Sequence, residues 1–84
     1  MPVLSRFYGI VIKMYFLQSE HHPPHIHAMY NEYVAAIDYM TGEVLEGYLP
    51  VKVLDMVRKW IELNREDIQA VWETQEFKKL PPLE

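Results

Sequence analysis

Phe7-Tyr8-Gly9-Ile10-Val11-Ile12-Lys13-Met14-Tyr15-Phe16-Leu17 is the stretch on which the fold turns. Apolar residues recur at every second position. Tyr8, Ile10, Ile12, Met14 and Phe16 share one face of an extended chain, and Phe7, Gly9, Val11, Lys13 and Tyr15 share a mixed one. β-Branched and aromatic side chains dominate, so the alternation predicts one long strand rather than a helix. Gly9 within it marks a bulge or a close backbone approach.

Downstream, Gln18 to Pro24 is polar and ends in two prolines, which cannot continue a central strand. His25 to Tyr30 alternates again, with Ile26, Ala28 and Tyr30 opposed to His25, His27 and Met29. Asn31-Glu32 reads as a tight turn into a third strand, Tyr33 to Met40. Thr41-Gly42 reads as a second short turn into a fourth strand, Glu43 to Leu49. Closely spaced turns imply an antiparallel meander.

At Pro50, a residue suited to the first turn of a helix, the period changes. Val53, Leu54, Val57, Trp60 and Ile61 form a helical apolar stripe, while Asp55, Arg58, Lys59 and Glu62 face water. Asn64 is expected to end that helix and cap a second one carrying Ile68, Val71 and Trp72. Lys78 to Glu84 contains two prolines and reads as an extended or frayed tail. The expected fold is α+β, a four-stranded antiparallel meander followed by two helices packed on one face, in the order β-β-β-β-α-α. The face holding Ile10, Ile12, Met14, Ile26 and Ala28 is the expected core side, which leaves His25 and His27 on the uncovered side.

The 84 residues fit a single domain spanning 1–84, with 78–84 as its tail. Half of the residues are hydrophobic, enough for a packed core. There is no cysteine, which excludes disulfides and thiolate metal sites. No signal peptide or membrane span is visible, so a soluble cytoplasmic protein without a membrane partner is expected. The net charge of −4 argues against strong non-specific binding to nucleic acid, although it leaves room for a local basic patch.

All four histidines fall within His21-His22-Pro23-Pro24-His25-Ile26-His27. His25 and His27 share a strand face and, with His22, offer three imidazoles for a divalent metal such as zinc. Glu20 and Asp38 are candidates to orient them. Alternatively, the histidines supply acid–base chemistry near neutral pH for a nuclease. Arg6 or Lys13 would then stabilise negative charge, and Tyr15 and Tyr30 would stack on RNA bases. In a third role they are structural, lining an interface or a sheet corner. The helix pair does not suit DNA reading, because Glu66 and Asp67 open its second member.

Ser5-Arg6-Phe7-Tyr8-Gly9-Ile10, His22-Pro23-Pro24-His25-Ile26-His27 and Thr41-Gly42-Glu43-Val44-Leu45-Glu46-Gly47, in this order, resemble the prokaryotic family catalogued as domain of unknown function family 4160. The resemblance covers essentially the whole chain. Ile26 stands where that family commonly has Phe, and His21 lies outside the shared string. The resemblance implies a small protein encoded beside another, in the manner of a toxin–antitoxin pair. On that basis the expected function is a component of a two-gene module acting through protein–protein interaction. Its partner would be the neighbouring gene's product, or a second copy meeting it through the exposed sheet face. The alternatives are a toxin-type enzyme, either a nuclease or a metal-assisted hydrolase, and a metal-stabilised structural module. The residues proposed for catalysis are His25, His27, Arg6 and Tyr8. Those proposed for metal are His22, His25 and His27.

Overall fold

A computed structural model describes residues 3–14, 25–74, 76 and 78–83. Within them the chain forms β1 (Val3–Phe7), β2 (Ile10–Lys13), β3 (His25–Tyr30), β4 (Tyr33–Asp38), β5 (Val44–Gly47) and α1 (Val51–Thr74). The strands make one antiparallel sheet in sequence order, and α1 packs against one side of it.

The class is α+β, as expected, but the sheet has five strands rather than four, followed by one helix rather than two. The expected single strand over Phe7–Leu17 is interrupted at Tyr8-Gly9. These two residues adopt φ of 50° and 79° and close a two-residue hairpin, so that Phe7 pairs with Ile10. The reversal also changes the face of Phe7. In one continuous strand it would oppose Ile10, whereas across the hairpin the two share the core side. Phe7 is buried and its ring stacks on Trp60 at 5.9 Å. Tyr8, expected on the apolar face, is exposed in the turn.

β1 carries a bulge in which Leu4 is the extra residue between the Val3–Lys13 and Ser5–Ile12 pairs. This lets the consecutive residues Leu4 and Ser5 both point inward, which a regular strand forbids. The remaining core follows the alternation: Ile10, Ile12, Met14, Ile26, Ala28, Ala35, Ile37 and Tyr39 are buried on the same side.

The two expected helices follow one another without a loop as a single 24-residue span, joined across a kink at Asn64 (φ −119°, ψ 16°). Asn64 leaves helical φ/ψ, so the break falls at the expected residue, although no connecting loop separates the two halves. Asn64 is buried, and its side-chain Nδ2 donates to the Trp60 carbonyl at 2.9 Å, one turn back. Both halves keep their stripes on the sheet side of the kink, and Val53, Val57, Trp60, Ile61, Ile68 and Val71 all join the core. Polar residues fasten the helix to the β4–β5 loop. Arg58 Nε donates to the Gly42 carbonyl (2.8 Å), Arg65 Nε to the Tyr39 carbonyl (3.1 Å), and the Tyr39 hydroxyl to Gln69 Oε1 (2.8 Å). Arg58, expected simply to face water, is thus engaged.

The terminal stretch is extended and docked. Leu80 N–H donates to the Leu4 carbonyl at the bulge (2.7 Å), the Trp60 indole N–H donates to the Pro81 carbonyl (2.8 Å), and Leu80 and Leu83 are buried. No described helix is long and apolar enough to cross a membrane.

Candidate functional site

With α1 on one side, the other side of the sheet is left open by the described residues. Strand register specifies what lies there. One row runs across all five strands through Val3, Lys13, His27, Ala36 and Glu46. The next runs through Arg6, Val11, Met29 and Val34, and on the other flank His25 faces Asp38. His25 and His27 are two residues apart on β3 and so share this open face.

Their rings lie 5.0 Å apart, centroid to centroid, inclined at 67°. The Trp72 ring, from the second half of α1, comes within 6.3 Å of His25 and 6.5 Å of Tyr39. Beside the imidazoles is a hollow of about 460 Å³ lined by His25, His27, Val34, Ala36, Leu45, Glu46 and Gly47. Leu45 reaches it because β5 bulges: Ile37 pairs with Val44 and Ala36 with Glu46, leaving Leu45 as the extra residue. Gly47 follows with φ of 86°, and a Cβ there would overlap the Val34 carbonyl oxygen.

Burial lowers the pKa of His27 below its ordinary 6.5, and the neighbouring His25 lowers it further, against a smaller opposing effect of Glu46. A neutral His27 is thereby favoured, a form that can accept a proton or ligate a metal. Tyr39 is pushed up to about 12 by burial first and then by Glu73 and Asp38. It stays protonated, consistent with its donation to Gln69. Asp38 is committed to the turn, where its Oδ1 accepts from the Met40 and Thr41 amides (2.7 and 3.2 Å).

The structure brings His25 and His27 together and puts Lys13 directly across from His27. Arg6 shares the face, but two strands away and one row along. Tyr8 sits at the far end of the sheet, in the turn beyond the Ile10–Tyr30 pair. Tyr30 points to the side opposite the histidines. His22, His21, Glu20 and Tyr15 lie outside the described residues. Among the described residues no group of three metal-ligating side chains converges. The residues missed from sequence are Val34, Ala36, Leu45, Glu46 and Gly47. Counting back from the Asn31-Glu32 turn would have placed Ala36 opposite His27, but nothing local announces the β5 bulge.

Among known proteins, a family model described as Domain of unknown function (DUF4160) matches residues 9–73, more than half of the chain. Searches of curated proteins and of solved structures found no match.

Proposed function

The chain belongs to the DUF4160 family, and from that premise and the sheet face that the described residues leave open we propose that it is a protein-binding component of a two-gene, toxin–antitoxin-like module. The observation that carries this reading is the composition of the open face. β1, β2 and β3 contribute Arg6, Lys13, His25 and His27 and no carboxylate, although the chain as a whole is acidic. Next to these groups are aliphatic side chains, of which Val34 and Leu45 are 47% and 37% exposed. An aliphatic hollow with Lys13 and Arg6 on the strands beyond the histidines and Glu46 at its rim fits a partner polypeptide with an apolar anchor in the hollow and acidic residues over β1 and β2. The described strand residues of this face include no Phe, Tyr or Trp on which bases would stack, which favours polypeptide over RNA.

The test is co-purification with the product of the neighbouring gene. A stable complex is expected, weakened at least tenfold by Leu45→Lys, which puts a charge in the hollow. Leu63→Lys, on the exposed side of α1, should leave it unchanged. No complex with that product, or one indifferent to Leu45→Lys, would overturn the reading.

One observation favours a second reading, a histidine-dependent nuclease. Lys13 stands across from His27, placing a cation beside an imidazole pair. His25 and His27 would exchange protons with the attacking and leaving oxygens, and Lys13 would stabilise the charge developing on the phosphate. RNA cleavage abolished by either His25→Ala or His27→Ala in folded protein would decide for it.

A further inference from the structure

We propose that His25 and His27 form a two-imidazole site for a borderline divalent cation, zinc being the probe of choice, at the edge of the hollow on the open face. Two rings bound to one tetrahedral ion, at a metal–nitrogen distance of about 2.1 Å, have centroids roughly 5 Å apart. The rings here are 5.0 Å apart, inclined edge-to-face at 67°, which matches that separation. The β3 backbone sets this spacing, because residues i and i+2 project on the same side of a strand. The adjoining hollow has space for the ion's remaining ligands, supplied by solvent or by a docked molecule. Glu46 is the carboxylate among the residues that line it. Each imidazole ligates through one nitrogen and keeps the other for a hydrogen-bond partner within the protein. Nitrogen donors and the lack of a carboxylate cage select zinc, nickel or copper over magnesium and calcium. The site stands on ring geometry and does not depend on what the open face docks.

The full chain, first treated with a chelator, is titrated with zinc alone against a chromophoric indicator. One zinc per chain is expected, with affinity reduced at least tenfold in His25→Gln and likewise in His27→Gln, and with no competition from magnesium. Both side chains lie on the open face, so the variants should fold, which circular dichroism checks. On the unaltered protein, zinc should shift the imidazole NMR signals of His25 and His27 together. No bound zinc, unchanged affinity in either variant, or imidazole signals of these two residues that stay put would each overturn the site.

Discussion

At the scale of single residues, His27 couples the open face to pH. Burial and the neighbouring His25 hold its pKa below 6.5 in the folded chain, whereas unfolding returns it to its ordinary value. The unfolded chain therefore binds more protons between the lowered value and 6.5. Stability must rise with pH through that window and level off above it. As pH falls through the folded-state value the contribution is lost. Urea unfolding of chelator-treated protein across this range should show the slope, and His27→Gln should flatten it. A slope identical in the variant would mean that other groups govern the dependence. Lys13 and Glu46, on the same row of the sheet as His27, are the charges to keep fixed in such a series.

At the scale of elements, β5 has the most conditional geometry. It pairs with β4 alone, carries a bulge at Leu45, and ends in Gly47, whose conformation and closeness to the Val34 carbonyl exclude a side chain. Gly47→Ala combines a left-handed φ with a backbone overlap and should cost about 1–3 kcal/mol or more. The measurement is a denaturant midpoint, paired with binding of the neighbouring gene's product. The edge must shift to relieve the overlap, taking Leu45 with it, so binding should fall with stability. Gly9→Ala is the informative contrast. It shares a positive φ, but the nearest atom to a new Cβ is a Tyr30 ring carbon at 3.5 Å, an ordinary contact. Only the conformational cost should remain.

At the scale of the whole molecule, the last residues close the structure onto its first strand. Leu80 is buried and hydrogen-bonded to the Leu4 bulge, and the neighbouring Pro81 carbonyl receives the Trp60 indole N–H. Leu80→Ala should cost about 2 kcal/mol, the lower end for a buried leucine because the site lies in a terminal segment free to settle. Truncation after Glu76 should cost more and shift Trp60 fluorescence as its indole loses the carbonyl and its cover. If truncation left both the unfolding midpoint and the emission unchanged, the terminal segment would hold nothing in place. The docking also explains how β1 serves as an edge strand without offering a fully open ladder, since its bulge and the Leu80 contact interrupt it.

Local periodicity in the sequence by itself determined the fold class, the buried face of β2 and β3, and the helical stripe around Trp60. These are properties of neighbours two, three or four residues apart. It also placed His25 and His27 together on the side away from the core, because parity along a strand assigns faces without knowledge of the partner strand. Only the tertiary structure decided where the first strand breaks. A tyrosine followed by glycine is a weak turn signal until Phe7 can stack on Trp60, more than fifty positions away. The break at Asn64 was legible locally, but only tertiary packing decided that it is a kink without a loop, with Asn64 serving the Trp60 carbonyl while both halves stay against the sheet. The hollow was hidden for the same reason. Leu45, Glu46 and Gly47 reach the histidines through pairing across β4 and a bulge, and pairing between distant segments leaves no mark on local pattern.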